Sequence, residues 1–288
     1  MSYLQKMKYH FGKVIWKPLR KRVAAISQKA SFRGISKRIS FVWESLLSAG
    51  GHSERVLVKL LLRMYKSQFL LQWKLSEQRP HFEDQRIDIA YFAFGDDVIG
   101  PYSFYRGFLS SEVIRDGDCL LDIGCGDGFF TRRFFAEKCQ YIDAVDLEKS
   151  AIEMAKCENS AANINYHVLD AVLEPFPRNH YDVVVWDGAL AHFPKETTEK
   201  MLQKISQSLG KDGVFVGSES LGREGGDHLQ EFLSLDDMGN LFKPYFKCIE
   251  LRSMEYKIIH GNSTRWEGYW RCSNDCKRLL DCHWEQYQ

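Results

Sequence analysis

The residues best suited to chemistry follow or close a series of apolar segments between positions 119 and 192. Asp122 precedes the glycine-rich run 124–128, and Asp146 and Asp170 close two later apolar segments. Carboxylates accept hydrogen bonds from hydroxyl and amino groups, and closely spaced glycines let a ligand approach the backbone. This pattern predicts a binding site for a ligand that carries several hydrogen-bond donors.

The glycine run differs from the one that binds nicotinamide dinucleotides. Those proteins use G-x-G-x-x-G, in which the third glycine permits close packing of the helix under the pyrophosphate. Here the glycines are Gly124, Gly126 and Gly128, and Phe129 holds the position of the expected third glycine. Asp122 would also repel a pyrophosphate, whereas it would attract an ammonium or a sulfonium group. The sequence therefore favours a cationic ligand.

The two later acids narrow the identity of that ligand. Asp146 comes 24 residues after Asp122, at a place where an acid accepts hydrogen bonds from two ribose hydroxyls. Asp170 and Ala171 end the third apolar segment, where they can bond an exocyclic amine and contact a base. An adenosine with a positively charged amino-acid tail meets these conditions, so the predicted cofactor is S-adenosylmethionine.

From residue 113 onward, apolar strand patterns alternate with helix patterns. Ser150 is predicted to cap a helix that runs to Lys156, and Gly210 to end a helix that begins near residue 195. The predicted fold is α/β, a doubly wound, mainly parallel seven-stranded sheet with an N-terminal helical extension and with ligands at the carboxyl ends of the strands. The seven predicted strands lie in the segments CLLD, QYIDAVD, INYHVLDA, YDVVVWDG, GVFVGSES, FKCIELRSMEYK and TRWEGYWRC.

Several of these segments, in this order, resemble the motifs of the class I S-adenosylmethionine-dependent methyltransferases. LLDIGCGDG is similar to their glycine motif, VDLEKSAIEMAK to their ribose-binding acid and its helix, and VLDA, DVVVWDGALAHF and LGKDGVFV to the next three strand regions. The resemblance covers residues 113–272. It implies that the methionine end is held by Asp122, Gly124, Gly126 and Gly128, the ribose by Asp146 and Leu147, and the adenine by Asp170 and Ala171.

The C-terminal half is similar to methyltransferases found with cell-surface polysaccharide genes. The segments that carry this likeness are VVWDGALAHF, EFLSLDDMGNLFKPYF and GYWRCSN. It implies O-methylation of a small molecule or of a saccharide or glycan hydroxyl, with that molecule as the partner.

Two residues after the fourth strand are candidate catalytic groups. An alcohol acceptor benefits from a base that takes its proton as the new bond forms. His192 is the preferred base because the reference pKa of histidine is close to neutrality, and Asp187 is the second candidate. His228, in a later glycine-rich stretch, is a third. For His192 the alternative is a histidine that only caps or packs the turn after the strand.

The sequence lacks the motifs that are typical of methyltransferases for other acceptor classes. The D/N-P-P-Y type of sequence that accompanies methylation of base amino groups is replaced by the proline-free segment 186–189, and the clustered acids of metal-dependent catechol enzymes are reduced to Asp187. We therefore expect neither a nucleic-acid base nor a metal-bound catechol as the acceptor.

Charge divides the chain unevenly. Residues 1–43 hold eleven Lys or Arg and no acid, which leaves 28 Lys or Arg against 38 Asp or Glu in the remainder. The first helical pattern is basic and amphipathic, which suits an anionic membrane surface and is also typical of mitochondrial transit peptides. The alternative hypothesis is a methyltransferase fold whose basic terminus binds membrane or nucleic acid, with a protein, lipid or RNA acceptor or without activity.

The predicted organisation of the chain has four parts. The basic helical segment spans 1–79, an aromatic-rich cap or linker 80–112, the methyltransferase domain 113–273 and a tail 274–288.

Most of the eight cysteines lie in apolar segments, which favours free thiols in a cytoplasmic protein. The basic residues of 1–43 would add peripheral membrane contact. The spacing Cys272-x3-Cys276-x5-Cys282-His283 lacks paired ligands, so no metal site is expected.

Overall fold

The computed structural model describes residues 60, 61, 64, 102–223, 228–258 and 263–279. By its contacts the chain divides into two units, and nearly all of these residues belong to the larger one, Phe82–Phe92 with Asp96–Gln288. Leu60, Leu61 and Met64 are helical, and they lie in the segment 1–79 that the sequence predicts to be helical. The basic segment 1–43, the aromatic residues before position 102, and Cys282 with His283 lie outside the described residues.

A seven-stranded sheet forms the centre of the larger unit, in the order β3-β2-β1-β4-β5-β7-β6. The strands β1 to β5 run parallel, and β7 lies antiparallel between β5 and β6. The predicted doubly wound, mainly parallel seven-stranded sheet is thus confirmed. The strands are β1 Cys119–Ile123, β2 Tyr141–Asp146, β3 Ile164–Val168, β4 Tyr181–Trp186, β5 Leu209–Leu221, β6 Cys248–Ile258 and β7 Ser263–Ser273.

Helices and short turns connect the strands. The α-helices of the larger unit are α1 Tyr102–Ser111, α2 Lys149–Glu158, α3 Lys195–Ser208 and α4 Leu235–Phe242; a π-helical turn spans Thr131–Phe135, and 3-10 turns span Leu190–His192 and Cys276–Arg278. The helix cap predicted at Ser150 is wrong. Glu148 is the cap of α2, because its carboxylate accepts the backbone N–H of Ser150 at 3.2 Å and the hydroxyl of the same residue at 2.7 Å.

Apolar side chains cover both faces of the sheet. On one face, Val184 and Phe215 belong to a core that includes Phe242 of α4 and residues of α3. On the other face, Val183 belongs to a core that includes Ile152 of α2. β4 is apolar on both faces and lies in the interior of the sheet, because its side chains alternate between the two cores.

Two of the cysteines form a disulfide, contrary to the expectation of free thiols. Cys248 opens β6 and Cys276 lies in the turn after β7; their Cα atoms are 5.5 Å apart. The antiparallel pairing explains this proximity, since Cys248 lies opposite Ser273. The described free thiols are Cys119, Cys125, Cys139, Cys157 and Cys272.

Within the described ranges, no helix is long and apolar enough to cross a membrane. The predicted division of the chain into four parts stays a prediction.

Candidate active site

The site lies where the strand order reverses. From β1 the chain adds β2 and β3 on one side, and from β4 it adds β5 on the other, so β1 and β4 flank the switch point. Ligands of open parallel sheets bind in the crevice outside the carboxyl ends of the strands at such a point. The structure places the predicted residues at this edge: Asp122, Gly124, Gly126 and Gly128, Asp146 and Leu147, Asp170 and Ala171, Asp187, and His192.

The glycine turn after β1 depends on backbone conformations that favour glycine. Gly124, Gly126 and Gly128 have φ values of 73°, 55° and 73°. Gly128 also lies against the phenol of Tyr166, and a Cβ at this position would approach the ring carbon Cζ to 2.8 Å. The Asp127 carboxylate accepts the Phe129 N–H at 3.0 Å, which fixes the exit from the turn.

Asp146 connects this turn to the end of β2. One carboxylate oxygen accepts the N–H of Gly126 at 2.9 Å and the other accepts the N–H of Glu148 at 2.8 Å. A carboxylate offers about four acceptor positions, so an acid at this place can also accept bonds from ligand hydroxyls. Leu147, the next residue, is 67% exposed.

Asp122 lies inside β1 and is nearly inaccessible, with 5% of its surface exposed. Its carboxylate accepts a 2.5 Å hydrogen bond from the Thr131 hydroxyl. Burial raises the pKa of Asp122 to about 7, and the nearby Asp187 and Asp146 carboxylates also raise it, against the lowering effects of Thr131 and Arg106. A cation bound at this point would favour the ionised carboxylate.

At the end of β3, Asp170 caps the next turn. One oxygen of its carboxylate accepts the N–H groups of Val172 and Leu173 at 2.9 and 3.2 Å. The carbonyl of Ala171 accepts a hydrogen bond of 2.6 Å from Lys204 of α3. The segment that contains Asp170 and Ala171 is therefore anchored to α3.

Asp187 has charged and polar partners on the side of the sheet that faces α1. The Ser218 hydroxyl of β5 donates to its carboxylate, and Arg106 of α1 places Nε 3.2 Å from the same oxygen. The Arg106 guanidinium lies against Gly188, where a Cβ would collide with it. The carboxylate of Asp187 is thus bonded to two other elements of the fold, β5 and α1.

Glu267 and Tyr269 of β7 continue this polar group, and no sequence motif indicates them. Glu267 is 2% exposed and accepts a hydrogen bond from Arg265. Burial raises the pKa of Glu267 to about 7, while Arg265 and Arg106 lower it. The Tyr269 hydroxyl lies 2.8 Å from that of Tyr256. We call Arg106, Asp187, Ser218, Glu267 and Tyr269 the α1-facing polar layer.

His192 lies in the 3-10 turn after β4 and is exposed. The ring of His228 meets it edge to face, with 4.9 Å between the centroids and an interplanar angle of 88°. The structure thus brings together two histidines that are separate candidates in the sequence. The signal that could have found this pairing was weak, because 36 residues separate the two positions.

Comparison with known proteins places this site in a family. A family model described as a methyltransferase domain matches residues 120–213. The match begins in β1 and ends in β5, so it includes each strand end that carries a predicted cofactor residue.

Curated relatives match part of the chain. The chain is 26% identical over 196 residues to the mitochondrial arginine-hydroxylase NDUFAF5 of Rattus norvegicus, which covers 61% of this chain and 54% of that protein. It is 31% identical over 112 residues to an uncharacterized methyltransferase of Mycobacterium bovis, which covers 39% and 55% respectively. The chain therefore spans about half the length of these curated relatives.

A solved structure shares the fold. Phosphoethanolamine N-methyltransferase 2 of Haemonchus contortus, in complex with phosphomonomethylethanolamine and S-adenosylhomocysteine, has a TM-score of 0.51 and 18% identity, and covers 66% of this chain and 57% of that one. The family match, the sheet order and the strand-end site agree, and the chain therefore carries a class I, S-adenosylmethionine-dependent methyltransferase domain.

Proposed function

We propose that this protein transfers a methyl group from S-adenosylmethionine to a hydroxyl oxygen of a small molecule or saccharide. The observation that carries the proposal is the His192–His228 pair, which lies after β4 at the same strand-end edge as the glycine turn. The pair places two imidazole groups, which can act as general bases, beside the crevice where this fold binds ligands.

The residues present fit the cofactor. The three left-handed glycines carry no side chains, so a ligand can approach the backbone of the turn at these positions. Asp122 would receive the cationic amino-acid end and Asp146 the ribose hydroxyls, with Leu147 and Ala171 bordering the nucleoside. When bound, S-adenosylmethionine supplies a methyl carbon activated by its sulfonium leaving group.

His192 is the better base of the two sequence candidates. The carboxylate of Asp187 is held by Arg106 and Ser218. His192 is exposed in the turn after β4, on the side of the sheet where the cofactor residues lie. The base then matters most where the acceptor is an alcohol, because an alcohol oxygen keeps its proton until the bond forms.

The α1-facing polar layer supports a hydroxyl-rich acceptor. Its carboxyl, guanidinium, hydroxyl and phenol groups come from different elements and lie mostly buried beside the ends of β4 and β5. Acids and arginines offer several hydrogen-bond partners in fixed positions, which suits a polyhydroxylated molecule. The relatives named as a phosphoethanolamine N-methyltransferase and an arginine-hydroxylase indicate the competing substrates, phosphoethanolamine and arginine.

The test uses methyl-labelled S-adenosylmethionine, purified protein and cell extract separated into metabolites, glycans with glycolipids, protein, and nucleic acid. Label is expected in the metabolite or the glycan fraction. His192→Asn should lower the labelling rate by about 100-fold or more, in line with the usual contribution of a general base.

Binding measurements distinguish a variant that no longer binds the methyl donor from one that has lost only the general base. His192→Asn should bind S-adenosylhomocysteine as the wild type does in calorimetry, whereas Asp146→Ala should lose both binding and labelling. Label in protein or nucleic acid would overturn the proposal. Absence of label in every fraction, with S-adenosylhomocysteine still bound, would also contradict it and would favour another chemistry on this fold.

We propose further that residues 1–43 bring the protein to an anionic membrane surface, since they hold eleven basic residues and no acid. Vesicles of phosphatidylcholine with and without phosphatidylserine test this. Binding should require phosphatidylserine, weaken with salt, and disappear on deletion of residues 1–43 while labelling activity persists. Equal binding to both vesicle types would contradict membrane attraction by charge.

A further inference from the structure

We propose that Gln230 and Glu219 are positioning residues for the transfer reaction, which clamp the Leu190–His192 turn and thereby hold the His192 imidazole against His228. The proposal rests on the proposed function, because it concerns the base that this function assigns to His192. Neither Gln230 nor Glu219 belongs to a recognisable motif of the sequence.

The side chain of Gln230 joins the turn to α3. Its amide nitrogen donates to the Phe193 carbonyl at 2.7 Å and to the Thr198 hydroxyl at 2.8 Å, and lies 3.4 Å from the Leu190 carbonyl. Thr198 is buried in α3. One amide therefore bonds residues on both sides of His192 and ties them to a rigid helix.

The backbone of the same segment adds a second attachment. The N–H groups of Leu229 and Gln230 both donate to the carbonyl of Ala191, at 2.7 and 3.2 Å. Ala191 directly precedes His192 in the chain. The residue before the imidazole is thus fixed by the segment that carries the second imidazole.

Glu219 bonds the backbone N–H of the same residue, Ala191. It lies on β5, is 3% exposed, and accepts the Ala191 N–H at 3.0 Å with one carboxylate oxygen. The other oxygen accepts the N–H of Ser220 at 2.9 Å. A buried carboxylate is costly unless it is hydrogen-bonded. Here both oxygens bond backbone groups, so the acid rigidly connects the strand to the turn.

His228 immediately precedes this clamp, so the bonds that hold the turn also set the distance between the two rings, 4.9 Å between centroids. In the reaction, the acceptor oxygen bonds the methyl carbon, the carbon–sulfur bond breaks with its electron pair on sulfur, and the hydroxyl proton passes to His192 and then to solvent. A displacement of about 1 Å in such a group can cost about 100-fold in rate.

The kinetic test uses the full chain with labelled S-adenosylmethionine and the acceptor fraction identified above. Gln230→Met keeps the side-chain length but removes the donors, and should lower kcat by about 10- to 100-fold with the KM for S-adenosylmethionine unchanged. Glu219→Met should do the same, whereas Glu219→Gln, which keeps an acceptor oxygen, should recover most of kcat. Leu229→Ala is the matched control, because that side chain is 62% exposed and only its backbone joins the clamp; its kcat should not change.

A second measurement needs no acceptor. In proteins labelled with 15N-histidine, His192→Asn and His228→Asn assign the two imidazoles, and Gln230→Met should shift the resonances of both rings while the affinity for S-adenosylhomocysteine stays at the wild-type value. Unmoved resonances would overturn the clamp.

The two proposals fail in different ways. If His192→Asn remains active, the assignment of the base fails. If His192→Asn is inactive while Gln230→Met keeps the wild-type kcat, the base stands and the positioning role of Gln230 is wrong.

Discussion

The two halves of the sheet satisfy their polar groups by different means. At the carboxyl ends of β2 and β3, carboxylates accept backbone N–H groups of the adjoining turns; Asp146 bonds Gly126 and Glu148 in this way. On β7, Arg271 instead pairs with Glu112, 159 residues away and directly after α1. The first contacts are therefore fixed by the turns at the strand ends and the second by the packing of α1 on the sheet; we call β1–β2–β3 the local half and β5–β7–β6 the distant half.

In this comparison the largest effect is expected for Gly128→Ala, in the local half. The change places a side chain at φ +73° and forces a Cβ to within 2.8 Å of the Tyr166 ring. We expect the free energy of unfolding in urea to fall by about 2–5 kcal/mol, the sum of a left-handed backbone cost and overpacking.

Gly117→Ala is its matched control. Gly117 has φ +91°, but a Cβ at this position would have no atom of the described residues within 4 Å beyond its own chain neighbours. Its substitution should cost only about 1–2 kcal/mol. Equal losses for the two variants would show that contact with Tyr166 is not what requires glycine at position 128.

Reduction of the Cys248–Cys276 disulfide tests the distant half. The bond spans 28 residues and closes β6 and β7 into one loop, so its loss should lower the free energy of unfolding by about 2–4 kcal/mol. Urea unfolding with and without reductant measures this. The affinity for S-adenosylhomocysteine should be unchanged, because both cysteines lie away from the glycine turn. Cys157→Ser, at an exposed free thiol, should alter neither quantity.

A third prediction concerns the pH dependence of cofactor binding. Because burial raises the pKa of Asp122 from 3.8 to about 7, the free protein holds a proton there that the unfolded chain releases. This contribution to stability is complete below pH 4 and is lost as pH rises through about 7. A cationic ligand requires the ionised form, so the Kd of S-adenosylmethionine should fall about tenfold from pH 6 to pH 8.

Calorimetry at several pH values measures that effect. Asp122→Asn should bind more weakly and lose most of the pH dependence. If the pH dependence persists in this variant, the titrating group lies elsewhere, and Glu267, whose pKa burial also raises to about 7, is the next to replace.

The smallest effect is expected at Lys204, which bridges the two halves from α3. It donates to the carbonyls of Ala171 and Glu174 and lies 4.0 Å from the Phe176 ring centroid. Lys204→Met should lower the free energy of unfolding by about 1 kcal/mol and weaken S-adenosylhomocysteine binding a few-fold. Lys200→Met, on an exposed position of the same helix, should leave both at the wild-type value. Unchanged binding in Lys204→Met would mean that the turn after β3 needs no anchor.

The sequence predicts the local half well for a physical reason. Asp122, the three glycines and Asp146 act through turns and strand ends, which neighbouring residues largely determine. The family match and the sheet order confirm the fold these residues imply. The helix cap at Ser150 is wrong by two residues because the Glu148 carboxylate accepts the N–H and the hydroxyl of Ser150, and the helix already begins at Lys149.

The polar contacts of the distant half could not be predicted from the sequence. Nothing near Asp187 in the chain indicates that Arg106 pairs with it, since the two residues meet only when α1 packs on the sheet. Glu267 reads as an ordinary polar residue within an aromatic strand, although it is almost completely buried. The pairing of Cys248 with Cys276 likewise depends on the register of β6 and β7.

The contacts of α1 determine where a shortened form of the chain can begin. The family match begins at residue 120, and a fragment cut there would lose Leu109 and Glu112, which bond the fully buried guanidinium of Arg271. It would also lose Arg106. Such a fragment would leave a cation in the interior without these partners, a cost of several kcal/mol. A shortened protein that keeps its catalytic machinery therefore has to start upstream of Tyr102.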